Sequence, residues 1–208
     1  MLQVTCEAIY KRDARRPGRL TFSGPRKSLK LAVAAVFAAI IALGTILSFP
    51  LPPPVFEITW SPAIFLALAA LSDRWTAVSA TAIGSFIGEF YNVSFKSGGS
   101  PIYPFGMIWA RAPEILIVAW GASRGGKWLV FSMVIATIYE TLAFFLSDWA
   151  FYTLGLFGYG SPETAYAGLV AASSDFVTMA DLAFIPVALG IIYAARPAFR
   201  RLGFPAKP

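Results

Sequence analysis

The stretch Tyr103–Trp120, YPFGMIWARAPEILIVAW, is apolar enough for a lipid bilayer, yet Arg111 and Glu114 stand near its middle. A charge at the centre of a membrane helix costs about 2.5–3.5 kcal/mol on insertion scales, so such groups are rare and face a bundle interior. Working outward, the whole 208-residue chain is 57% hydrophobic and 13% charged. Soluble domains carry about 25% charged residues. The composition therefore specifies an integral membrane protein with several spanning helices. There is no histidine and one cysteine, Cys6. That excludes an intrachain disulfide, zinc-type proteolysis, Ser-His catalysis and the usual imidazole-held metal sites. No metal and no cofactor is expected.

Six apolar segments follow one another, each bounded by charge, Pro or Gly: about 29–49, 61–71, 74–91, 103–121, 128–149 (with a possible extension to 156) and 166–195. Segments one, four, five and six reach the roughly 20 residues that a spanning helix needs. The second is short, which suits a tilted, broken or interior helix. The backbone of each must be helical, because unpaired N–H and C=O groups are not tolerated against lipid. The expectation is all-α: a polytopic membrane protein of six transmembrane helices in one bundle. Residues 1–28 read as a basic cytoplasmic N-terminal tail, 29–196 as the membrane domain and 197–208 as a cytoplasmic C-terminal tail.

Orientation follows from the basic residues. With the N-terminus inside, Arg74, Arg124, Lys127 and both basic tails are cytoplasmic, leaving Lys96 in an outer loop and Arg111 within a helix. This satisfies the positive-inside rule with both termini cytoplasmic, and an odd number of spans would break it. The same rule accounts for the basic tail without nucleic acid. Inner turns (LSDRW, GASRGGKW) are tight and outer connections long. Pro50, Pro52, Pro53 and Pro54 stiffen the first outer loop into an extended lid.

Depth then groups the polar residues. Segment four descends from the outer face at 1.5 Å per residue, putting Arg111 about 10–12 Å down and Glu114 about one turn deeper. Segment three brings Glu89 and Asn92 to its outer end, segment five brings Glu140 to the outer half and Asp148 to the rim. Segment six places Asp175 in the outer half and Asp181 near the middle. Several parts of the chain thus converge on one level. Arg111 has three available partners: Glu114 on its own helix face at i,i+3, or Glu140 or Asp175 across helices. A structural ion network and a ligand site are both compatible with this pattern. The surplus of acid calls either for carboxylates held neutral by burial or for a ligand carrying positive charge. Arg111 would hold a carboxylate or phosphate of a ligand, and Trp60 and Trp109 would stack on a flat or cationic one. An aromatic belt at the membrane interface is the competing use of those rings.

In segment one, LAVAAVFAAIIALGT, Ala34, Ala38 and Ala42 recur every four residues with Ala35 and Ala39 beside them. Such a stripe lets another helix approach closely, and from spacing alone it serves packing inside the bundle as readily as docking of a partner. The basic tail, this alanine-striped helix, the Pro-rich loop, the short second segment PAIFLALAALSDRW and the third ending AIGSFIGEFYN resemble the substrate-binding (S) component of energy-coupling factor vitamin transporters. The resemblance spans about Lys30 to Ala195. It implies a plasma-membrane subunit of an ATP-driven importer that captures a small organic micronutrient from outside. Thiamine or its pyrimidine precursor suits the acid surplus best. It also implies docking through Ala34, Ala38 and Ala42 onto a transmembrane coupling subunit served by two ATPases, with a vitamin pocket under the loop carrying Glu57 and Trp60. The chain has no GxxxxGK[ST] phosphate loop, so ATP is hydrolysed elsewhere. Metal-capturing relatives use a histidine chelate, which this chain lacks.

The resulting substrate-binding set is Trp60, Glu89, Asn92, Trp109, Arg111, Glu114, Glu140 and Asp175, with no catalytic residue. The alternative is a small proton-coupled secondary transporter using the same acids. It would favour an inverted repeat, and segments one to three do not echo four to six. A two-carboxylate intramembrane enzyme is disfavoured because Asp175 and Asp181 stand six residues apart on one helix.

Overall fold

The computed structural model describes residues 26–50, 57–97, 100–157, 162 and 164–205. The described residues form six main helices: α1 (Lys27–Ile46), α2 (Ser61–Leu71), α3 (Arg74–Asn92), α4 (Tyr103–Arg124), α5 (Gly126–Leu154) and α6 (Ala165–Arg201). A short antiparallel hairpin, β1 (Ser48–Pro50) with β2 (Glu57–Thr59), joins α1 to α2, with Phe49 opposite Ile58. These strands are the one addition to the all-α expectation among the described residues. They close the segment that flanks the proline run. Pro52, Pro53 and Pro54, like most of the basic N-terminal tail, lie outside the described residues.

Helices α1, α5 and α6 are long and apolar enough to cross a membrane. Helix α4 has the length, at 22 residues, but not the composition, because it carries the charges with which the sequence reading began. Helix α2 is buried on nearly every side. A helix apolar all round belongs in an interior, and α2 occupies one, between α1, α4 and α6. Its hydrophobic partners there include Ile41, Ile115, Val118, Ile185, Ala188 and Ile192. Helix α6 continues to Arg201, past the expected boundary at 196, with Arg200 and Arg201 in its last turn, where basic side chains complement the helix dipole.

Two seams position the site. Gly84 and Gly88 of α3 lie against α1, where a Cβ at Gly84 would stand 2.5 Å from the Ala38 carbonyl and one at Gly88 2.9 Å from that of Ala42. Only glycine permits this approach. Ala38 and Ala42 of the alanine stripe are consequently buried. Two of its three alanines form an internal seam, and Ala34 beside them is half-buried. The second seam joins α4 and α5. Pro113 lies inside α4 and has no N–H to offer the carbonyl four residues earlier. That carbonyl belongs to Trp109, and the Tyr139 hydroxyl of α5 donates to it at 3.1 Å.

Segment six departs from regular α geometry. Ser173–Phe184 winds as a 3-10 helix, at three residues per turn and about 2.0 Å rise. Residues three apart then lie one above another.

Candidate functional site

A buried polar cluster draws on five of the six helices. Arg111 of α4 donates from Nε to Glu140 Oε1 of α5 at 2.8 Å. Its Nη1 donates to Ser85 of α3 at 2.9 Å and to Ser61, the first residue of α2, at 3.4 Å. The guanidinium lies over the Phe65 ring, 5.0 Å from its centre. Glu114, one turn along α4, interacts electrostatically with Arg111 and Glu140. Asp181 of α6 interacts electrostatically with Arg111, Glu114 and Glu140. Arg111 is 5% exposed, Glu114 1%, Glu140 0% and Asp181 9%.

Of the three partners open to Arg111, the fold selects Glu140. The Pro113–Tyr139 link explains part of this choice, because it pins α5 beside α4 one residue from Glu140. A charge-assisted pair held by further hydrogen bonds is what a low-dielectric interior requires of a guanidinium. Ser61 also fixes the level at which α2 begins, since its hydroxyl reaches Arg111 and contacts Thr59 Oγ1 at 2.9 Å.

A second polar group lies between α5 and α6. Asp148 and Tyr152 of α5 interact electrostatically with Asp175 of α6. Between the two groups, the Thr178 hydroxyl contacts that of Thr141 at 2.7 Å. Asp175, Thr178 and Asp181 share one face because the 3-10 winding aligns residues three apart. Phe184 continues that row and meets Trp60 edge-on at 5.5 Å.

The other residues of the expected set divide. Trp60 is beside the cluster through Ser61 and Phe184. Glu89 is buried on α3, one turn beyond Ser85. Asn92 donates from Nδ2 to the Thr45 carbonyl at 3.2 Å. Lys96 donates to the carbonyl of Ile46, the last residue of α1. Asn92 and Lys96 therefore satisfy carbonyls that the end of α1 leaves open. The Trp109 ring packs edge-on to Phe151 at 6.2 Å and is 37% exposed, on the side of α4 away from Arg111. The structure thus brings Arg111, Glu114 and Glu140 together, with Trp60 near them. It seats Asp175 with Asp148, places Asn92 on the α1 seam and turns Trp109 outward.

Ser61, Phe65, Ser85 and Asp181 are the members that the sequence reading left out of its set. A lone serine in an apolar helix carries no signal of its own. Asp181 stands in the sequence as an acid near the middle of segment six, level with the others, but is not carried into the set. No group of three or more His, Cys, Asp or Glu residues arranged to hold a metal occurs among the described residues. Chemically, the cluster offers carboxylate oxygens beside one ion pair, in which Arg111 Nε and Nη1 are bonded and Glu140 Oε1 accepts.

No protein-family model and no curated protein matches the sequence. Among solved structures, the chain is similar to the S component of a bacterial ECF transporter. The TM-score is 0.60 at 20% identity, over 85% of this chain and 99% of that one. The fold is therefore that of an S component, a helical membrane bundle.

Proposed function

We propose that this chain is the membrane-embedded substrate-binding subunit of an ECF-type importer, capturing a small organic micronutrient outside the cell for ATP-driven uptake. The observation that carries this reading is the meeting of Arg111, Glu114, Glu140 and Asp181, from three helices, inside a bundle with the S-component fold. Intramembrane ionisable groups of this kind mark ligand or ion paths. On this reading the chain has no catalytic activity and sits in the plasma membrane with both termini cytoplasmic. Lys30 and Asp73, which pair at 3.3 Å, mark the cytoplasmic end. The hairpin end, with Lys96 and Ser100, faces outside.

The partners are a transmembrane coupling subunit and two ATPases. With Ala38 and Ala42 covered by α3, the docking face is the uncovered side of α1. There Ala35 and Ala39 are exposed four residues apart, beside Leu43, and small residues at that spacing admit a close helix partner.

Native mass spectrometry of the protein purified from cells grown in rich medium tests the reading. The expected result is a retained small molecule. Uptake by proteoliposomes that contain this chain alone, driven by a proton gradient, would instead establish a secondary transporter.

A further inference from the structure

The turn between α4 and α5 carries charge and rings that the buried cluster does not use. No acidic residue occurs between Glu114 and Glu140 in the sequence, yet Arg124 and Lys127 stand in that interval. Neither side chain forms an ion pair or donates a hydrogen bond among the described residues. The Arg124 guanidinium lies instead over the Trp120 ring of α4, 4.1 Å from its centre, and 5.7 Å from that of Trp128 in α5. The two rings meet edge-on at 5.8 Å. Close packing of the helices beside the turn holds them there, since a Cβ at Gly121 would stand 1.9 Å from Ser132 Oγ and 2.5 Å from the Trp128 carbonyl. Stacking orients a guanidinium and leaves its N–H fork open to an acceptor. The uncapped start of α5 adds the positive end of a helix.

An apolar strip begins where this charge ends. Trp120, Trp128 and Phe131 are exposed, as are Leu116 and Ile135, one turn further toward the middle of α4 and α5. We propose that the α4–α5 turn binds an anionic phospholipid, with Arg124 and Lys127 holding its phosphate and its acyl chain lying along the strip toward Leu116 and Ile135. A free phosphate makes no use of the strip, and an acidic protein segment none of its bilayer-facing end, whereas a lipid uses both. Anionic lipids gather in the inner leaflet, where the positive-inside rule places this turn. The proposal goes beyond substrate capture and takes from that reading only this placement.

The experiment uses the full chain in neutral detergent micelles and native mass spectrometry. Phosphatidylglycerol, which is anionic, and phosphatidylcholine, whose phosphate is offset by its choline, are supplied in equal amounts with identical acyl chains. Micelles have no leaflets, so the readout depends neither on orientation nor on a substrate. Phosphatidylglycerol should be retained at least about fivefold over phosphatidylcholine, the scale of one basic residue near an anionic lipid. Arg124→Gln should remove about that factor. Arg124→Lys keeps the charge but loses the fork and the stacking, and should weaken retention as well. Arg201→Gln removes the same charge from an exposed position at the end of α6 and should leave retention unchanged. Equal retention of the two lipids, unchanged retention in either Arg124 variant, or an equal loss in Arg201→Gln overturns the proposal. Displacement of phosphatidylglycerol by millimolar inorganic phosphate also overturns it, in favour of a free anion. Reduced co-purification of the coupling subunit by Arg124→Gln, with lipid retention unchanged, overturns it in favour of a protein dock. Each of these failures leaves the substrate-binding reading standing.

Discussion

Tyr139 of α5 donates its hydroxyl to the carbonyl of Trp109 in α4, at 3.1 Å, and each residue adjoins half of the buried ion pair. Glu140 follows Tyr139, and Arg111 comes two residues after Trp109. The carbonyl is free because Pro113 cannot bond to it. One imino acid thus creates the acceptor that holds two helices in register beside their charges.

Tyr139→Phe should therefore destabilise the bundle by about 1 kcal/mol, the net worth of one hydrogen bond. In a Pro113→Ala background the new backbone N–H can take the Trp109 carbonyl, and the cost of Tyr139→Phe should shrink. Thermal unfolding of the four proteins of this cycle in one detergent measures the coupling. Equal costs in both backgrounds would refute the link.

Arg111→Ala leaves Glu140 buried without its partner and should cost about 3 kcal/mol or more. Combining Arg111→Met with Glu140→Leu removes both charges and should recover much of that loss, because well-packed apolar replacements of buried pairs are often neutral. Midpoints of thermal unfolding decide the point. A double variant as unstable as Arg111→Ala would mean that Ser61 and Ser85, not the ion pair, dominate there.

The two sides of α1 should respond oppositely. Gly84→Leu drives a side chain into the Ala38 carbonyl, 2.5 Å from where its Cβ would stand, so the α1–α3 seam should open and the folded yield collapse. Ala39→Leu lies on the exposed side and should leave the unfolding midpoint within about 0.5 kcal/mol of wild type, as surface changes do. It should nevertheless reduce co-purification of the coupling subunit. Undiminished co-purification would exclude this face as the dock.

Asp73 gives a pH-dependent prediction. Its side chain caps α3 by accepting from the Thr76 N–H at 3.3 Å and the Thr76 hydroxyl at 2.6 Å, and Lys30 pairs with it. Burial pushes its carboxyl up, but the Thr76 bonds and the Lys30 charge outweigh this and hold it below the ordinary 3.8. A depressed value means that the folded state favours the ionised form. The contribution is thus complete above 3.8 and is lost as pH falls through the lowered value. Asp73→Ala should cost about 1 kcal/mol at neutral pH, as loss of an N-cap does. The gap to wild type should close in strong acid, as followed by circular dichroism. A gap independent of pH would show that the carboxylate charge is not involved.

Hydropathy and charge spacing by themselves determined six helical segments and drew Arg111, Glu114 and Glu140 toward one region of the bundle. These are one-dimensional consequences of a fixed rise per residue and of the cost of exposing backbone or charge to lipid. Tertiary structure decided the rest. Ala38 and Ala42 became an internal seam because Gly84 and Gly88 on α3 leave room for α1, and periodicity along α1 cannot report what another helix lacks. Asp181 joined the cluster because packing winds Ser173–Phe184 at three residues per turn, which brings into line with Asp175 a residue that α-helical spacing would turn aside. Glu140, rather than Glu114 or Asp175, received the guanidinium because a proline in one helix and a tyrosine in the next set their register, and a partner across helices is fixed only once both have docked.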